Sequence, residues 1–89
     1  MDAAASVGSV ASVRGAVVDV SFDGGTLPAI NTALIVDWDR PESLVLEVHS
    51  HLDTTTARAI ALQATAGLAR GTAVRATVPG DLRRARRRW

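Results

Sequence analysis

Apolar side chains recur at every second position through most of the chain, and Gly, Pro and Asp cut the runs short, which is the pattern of short strands joined by turns. From Gly8 to Val13, Val and Ala alternate with Ser. After Arg14-Gly15, residues 16–22 set Ala16, Val18, Val20 and Phe22 on one face and Asp19 and Ser21 on the other. Asp23-Gly24-Gly25 offers the positive-φ residues of a tight turn, and Leu27-Pro28 leads an extended connection through Ala29-Ile30-Asn31. A third strand is expected over residues 33–38, with Leu34, Val36 and Trp38 on one side, and Asp39-Arg40-Pro41-Glu42 is the turn that follows it. Residues 44–49 give the clearest alternation, Leu44, Leu46 and Val48 against Glu47 and His49. Residues 53–56 break the chain before residues 57–63, whose alanines fit helix as readily as strand, although the setting between strands favours strand. Residues 66–71 read as a turn and residues 72–77 as a last short strand. The expected fold is therefore all-β, a small closed antiparallel barrel of about six strands, because closure removes the edges that invite aggregation.

Length and charge sharpen this picture. A chain of 89 residues, 47% hydrophobic, supports one domain, and one of this size holds a modest core with little room for a deep catalytic cleft. The barrel is expected over residues 6–78, between a flexible N-terminus at 1–5 and a disordered Arg-rich tail at 79–89. Residues 1–80 carry five Arg and eight acids, a charge of −3, while residues 81–89 carry five Arg and one Asp, a charge of +4. The basic character thus belongs to the tail. There is no Cys, so the fold stands on packing without disulfides, and neither a thiolate metal site nor a thiol nucleophile is available. The N-terminal residues lack the pattern of a signal peptide and no apolar run approaches the roughly 20 residues of a membrane span, which makes a cytoplasmic location the expectation.

Candidate chemistry is sparse. His49 and His51 stand two apart, so in a regular strand both would point to one face near Asp53, but such a pair at a strand end reads more simply as solvated surface. No spacing of Ser, His and acids resembles a nucleophile elbow or a paired-carboxylate site. Gly24-Gly25 and Gly67-x-x-x-Gly71 do not form a phosphate loop, and the chain contains no Lys to reach a phosphate. Catalytic, cofactor-binding and metal-ligating residues are accordingly assigned to none. Arg58 and Arg70 are placed at strand ends, as solvated charges or as halves of intersubunit ion pairs. The tail, with its Arg cluster and Trp89, has two readings. It could bind nucleic acid or an anionic surface, or it could be what a GC-rich gene yields when translated out of frame.

Several ordered segments together resemble one family. Gly15-Ala16-Val17-Val18-Asp19-Val20-Ser21-Phe22, Leu27-Pro28-Ala29-Ile30-Asn31-Thr32-Ala33-Leu34, Leu44-Val45-Leu46-Glu47-Val48-His49-Ser50-His51-Leu52, Arg58-Ala59-Ile60-Ala61-Leu62 and Thr65-Ala66-Gly67-Leu68-Ala69-Arg70-Gly71 are similar to the N-terminal domain of the beta subunit of the F-type rotary ATP synthase. The resemblance covers roughly residues 6–77. Past it, Val74-Arg75-Ala76-Thr77-Val78 lacks the Asp and Gly of the family's next segment, and Asp81 onward matches nothing in it. Leu62, Ala69 and Asp53 depart from the residues usual in the family and point to a divergent member of the sodium-pumping class.

What the resemblance implies is a crown domain, one of six barrels alternating between alpha and beta subunits, whose task is assembly in proton- or sodium-coupled ATP synthesis and hydrolysis. The family's phosphate-binding loop, its Lys and its catalytic Glu belong to a central domain that these residues do not include, so the expected reading is a truncated or frameshifted beta subunit, not an enzyme by itself and without a cofactor or small-molecule substrate. The expected partners are alpha subunits, met through outer-face residues Val17, Ile35 and Val45 and through Arg58 and Arg70. The expected location is cytoplasmic, peripheral to the inner membrane, with no insertion into it. A free-standing barrel that binds nucleic acid through the Arg tail is the alternative, against which the negative charge of the body and the scarcity of aromatics weigh.

Overall fold

The computed structural model describes residues 7–24 and 26–77. Six strands run in chain order, β1 (Val7–Arg14), β2 (Val17–Ser21), β3 (Ala33–Val36), β4 (Val45–His51), β5 (Thr56–Ala61) and β6 (Ala73–Ala76). They close into one barrel in the order β1-β2-β5-β4-β3-β6, and every neighbouring pair is antiparallel. Closure pairs the backbone groups of both short strands on both sides, so no strand is left as an edge. The N-terminal residues 1–6, Gly25 and residues 78–89, including the tail read from the sequence, lie outside the described residues.

Alternation decides what fills the interior. Val18 and Val20 on β2, Leu34 and Val36 on β3, Leu46 and Val48 on β4 and Val74 on β6 point inward and are buried, with Phe22 and Leu44 sealing strand ends. β5 contributes only Ala57 and Ala59 to the interior, opposite Val20 and Val18 across β2. Small residues on one strand leave space for the larger ones facing them, which is how a barrel this narrow is filled by side chains. No polar or charged side chain is buried among the described residues.

Several boundaries differ from the sequence expectation, each for a local reason. Ala16 is not on the inward face. It sits with Gly15 in the β1–β2 turn and is exposed, because the hairpin needs two residues to reverse. β3 ends at Val36, before Trp38, because the next residues turn so that Trp38 Nε1 donates to the Glu42 carbonyl at 3.2 Å. β4 runs two residues further than expected, through His51, and the expected strands at 57–63 and 72–77 are the shorter β5 and β6.

Two strands carry register shifts, β1 between Val10 and Ser12 and β4 between Val48 and Ser50. Each adds a residue on one strand and sharpens the bend that closes a small barrel. At the start of β1 the backbones come unusually close. A Cβ on Gly8 would stand 2.5 Å from the Ser21 carbonyl oxygen and 2.9 Å from the Phe22 ring. Glycine here lets β1 lie against the core aromatic.

Candidate functional site

The outer surface is where any function of these residues must act, since the interior is filled. Its most ordered polar feature is a row across four strands. Asp19 on β2 is directly opposite Arg58 on β5, and the guanidinium donates twice to the carboxylate, Nε to Oδ1 at 2.9 Å and Nη2 to Oδ2 at 3.2 Å. The β1 register shift sets Ser12 opposite Asp19, where its hydroxyl donates to Oδ2 at 3.2 Å, and the β4 shift sets Ser50 opposite Arg58. Both irregularities thus align small hydroxyl residues with the ion pair. Hydrogen bonds from Arg58 hold the Asp19 carboxyl below the usual carboxylate range, aided by the charge of Arg58, by Ser12 and by Arg14, while partial burial opposes them. Arg58 therefore lies inside β5 and not at a strand end, and its partner is within the chain.

Arg70 stands in a different setting. Residues 65–71 form a double turn that carries the chain from β5 to β6. Thr65 Oγ1 donates to the Gly15 carbonyl at 2.7 Å, Leu68 N to Thr65 O at 2.9 Å, and Gly71 N to the Val10 carbonyl at 2.8 Å, while Leu68 packs against the core. Gly67 has φ +87°, and a Cβ there would land on Nη2 of Arg40, whose guanidinium lies over the Trp38 ring at 5.1 Å. The Gly67–Gly71 spacing is thereby accounted for as turn geometry. Arg70 projects from this turn and is exposed.

The apolar candidates do not form one patch. Val17 pairs with Ile60 across β2 and β5, flanked by Arg14 on β1 and by Glu47 on β4, which stand opposite them in the register. Ile35 pairs with Val45 on β4 and with Arg75 on β6, and a groove runs beside it between Val7, Ile35 and Ala73. All of these point outward, since their strand neighbours are buried. Ile60 and Val7 were not singled out from sequence. The alanine-rich β5 gave no clear face there, although with Ala57 and Ala59 read as inward residues Ile60 would have been recognised as outward.

The two histidines are separated by the β4 register shift, which breaks the alternation that would have put them on one face. His51 Nε2 donates to the Pro28 carbonyl at 2.7 Å and ties β4 to the β2–β3 connection, while His49 is exposed. Asp53, the third member of that candidate cluster, is occupied by its own turn, Oδ1 accepting from the Thr55 and Thr56 amides at 2.8 Å each. Among the described residues no group of three or more His, Cys, Asp or Glu side chains is placed to hold a metal ion. Among the described residues no helix is long and apolar enough to cross a membrane.

A closed six-stranded antiparallel barrel places these residues in the class of small β-barrel domains. The chain belongs to the ATP synthase alpha/beta family, whose beta-barrel domain matches residues 10–78. It is 58% identical over 76 residues to ATP synthase subunit beta 2 of Gluconobacter oxydans, covering 85% of this chain and 16% of that protein. It is 57% identical over 70 residues to ATP synthase subunit beta 2 of Burkholderia thailandensis, covering 79% of this chain and 14% of the relative, and equally similar to that of Burkholderia pseudomallei. The chain thus spans 13–16% of the length of these relatives. The resemblance read from the sequence, to the beta-subunit barrel, is the family the comparisons return.

Proposed function

We propose that these residues serve as a crown barrel of a rotary ATP synthase head, joining alpha-type subunits on either side and contributing to assembly instead of chemistry. The observation that supports this reading most is the family match over residues 10–78 on a barrel whose outward strand faces carry the apolar pairs Val17–Ile60 and Ile35–Val45. Barrels of one family placed side by side around a ring bury such faces against one another. The relatives are ATP synthase beta subunits by name, and the part proposed for these residues is positional, at a head peripheral to the membrane in an enzyme coupled to proton or sodium flow.

The chain has no Lys and no Gly-x-x-x-x-Gly-Lys-Ser/Thr loop, so it does not supply the phosphate loop of that motif. Coelution with a purified alpha subunit of the family on a sizing column, together with calorimetric titration of Mg-ATP into the chain alone, tests the reading. The expected outcome is a stable complex with the alpha subunit and no heat of nucleotide binding. Micromolar Mg-ATP binding, or a chain that elutes alone at every concentration, would overturn it.

A further inference from the structure

Residues 79–89, which follow β6 after Thr77 and Val78, fall outside the family match and carry five arginines against one aspartate. Two features of the barrel bear on where they go. One is the groove over β1, β6 and β3, about 380 Å³, lined by Val7, Ile35, Ala73 and Asp37 among others, in which Val7 is an apolar side chain left 65% exposed. The other is the β3–β4 connection. Asp37, Asp39 and Glu42 are exposed there, and among the described residues none of them forms an ion pair, while Arg40 lies over the Trp38 ring. The Asp37 amide donates to the Ala73 carbonyl at 2.8 Å, so the acidic connection starts at the end of the groove.

We propose that residues 81–88 return over the outer face of β6 and occupy this groove, a cover that the chain supplies for itself. The inference goes beyond the assembly reading and does not depend on it. Sequence supplies the reversal: Val78-Pro79-Gly80-Asp81 holds the Pro-Gly pair suited to the centre of a type II turn, directly after Thr77, whose amide still donates to the Ala33 carbonyl at 3.0 Å. Topology supplies the path. β6 is paired with β1 on one side and β3 on the other, so a returning segment finds no strand edge to join and lies across the outer face. At ~3.3 Å per residue the return brings Ala85 level with Val74 and Arg86 level with Ala73. There the Ala85 methyl and the aliphatic stems of the arginines suit apolar walls, and the guanidinium groups of Arg86, Arg87 and Arg88 come to the carboxylates of Asp37, Asp39 and Glu42. Arg75, which has an interaction of its own, takes no part in this charge match. Because the segment is tethered to β6, contacts too weak to hold a free peptide suffice to seat it. Seated, it is an autoinhibitory contact that closes the Ile35 side of the barrel to any other protein until it is displaced.

The experiment is paramagnetic broadening in the NMR spectrum of the full chain. The chain has no Cys, so Trp89→Cys takes a single nitroxide label. The amide signals of Asp37, Asp39 and Ala73 are expected to lose most of their intensity relative to the chemically reduced label, while those of Val17 and Ile60, on the other side of the ring, keep theirs. Serine at positions 86, 87 and 88 together in the labelled chain, and separately Asp37→Asn with Asp39→Asn and Glu42→Gln, are each expected to restore the lost intensity. All six positions lie outside the buried core, and the dispersion of the spectrum checks that each variant is folded. Broadening spread evenly over the surface, or centred away from Asp37 and Ala73, overturns the proposal. Broadening that survives both sets of substitutions overturns the charge match on which the occupant was chosen. A mixture of spin-labelled chain with isotope-labelled chain lacking the nitroxide is expected to show no loss; loss there overturns the self-cover in favour of a second copy.

Discussion

Replacing Gly8 with alanine sets two general effects against each other. A glycine in a strand loses more conformational freedom on folding than alanine, so Gly→Ala at an unstrained position ordinarily stabilises by about 0.4–1 kcal/mol through the unfolded chain. At Gly8 the new methyl would meet the Ser21 carbonyl oxygen at 2.5 Å and two carbons of the Phe22 ring at 2.9 and 3.0 Å. Phe22 is fully buried and the Ser21 oxygen belongs to the β1–β2 ladder, so neither contact can be relieved by a surface side chain swinging away. Relief requires the start of β1 to move outward, loosening the Ser9–Ser21 pairing and the Val7–Arg75 and Gly8–Val74 pairings that close the barrel on β6. Overpacking of this kind costs about 1–3 kcal/mol. After the unfolded-state gain is subtracted, Gly8→Ala is expected to destabilise by about 1–2 kcal/mol, which for a domain of this size lowers Tm by about 5–15 °C. Urea unfolding followed by far-ultraviolet circular dichroism measures it. A Gly8→Ala variant as stable as wild type, or more stable, would refute the close approach of β1 to Phe22 on which the reasoning depends.

Three further outcomes are expected. Phe22→Ala removes the one aromatic side chain fully buried among the described residues and should cost about 3–5 kcal/mol, a large part of the stability of so short a chain, measurable as a loss of the cooperative urea transition. Asp19 is held below the usual carboxylate range, so its contribution is complete above its unfolded pKa and is lost as pH falls through the lower folded value; Asp19→Asn should lower stability at pH 7, and the gap to wild type should narrow below about pH 4 in melts taken across pH. Gly67→Ala should cost about 1–2 kcal/mol, part of it from the left-handed backbone and part from pushing Arg40 off Trp38, and the second part should vanish in an Arg40→Ala background in a double-mutant cycle.

The sequence carried the inside of this barrel more fully than its outside. Inward positions on β2, β3 and β4 follow strict alternation of large aliphatic residues, so Val18, Val20, Leu34, Val36, Leu46 and Val48 were legible as core before any coordinates. The order of strands around the ring was not, because β1–β6 and β2–β5 are long-range pairs and a period of two says nothing about which strand lies beside which. The register shifts were equally hidden. Nothing in Val10-Ala11-Ser12 or Val48-His49-Ser50 marks an extra residue, yet those shifts set Ser12 and Ser50 beside the Asp19–Arg58 pair and separate the two histidines. Arg58 was misplaced at a strand end because β5 was read one residue late. The expected outer residues Val17, Ile35 and Val45 are outward, but only the topology divides them between two opposite sides. Gly67 and Gly71 were read as turn glycines, and the double turn around Leu68 supplies the geometry that the motif encodes.

The most direct test of the crown-barrel reading is a chimera in which residues 7–77 replace the matching barrel of the Gluconobacter oxydans subunit beta 2, followed by native mass spectrometry of the head formed with that organism's alpha subunits. A hexameric head in the same yield as with the native barrel is the predicted result. Unassembled beta and alpha subunits, from a chimera whose nucleotide-binding domain still binds Mg-ATP, would contradict it.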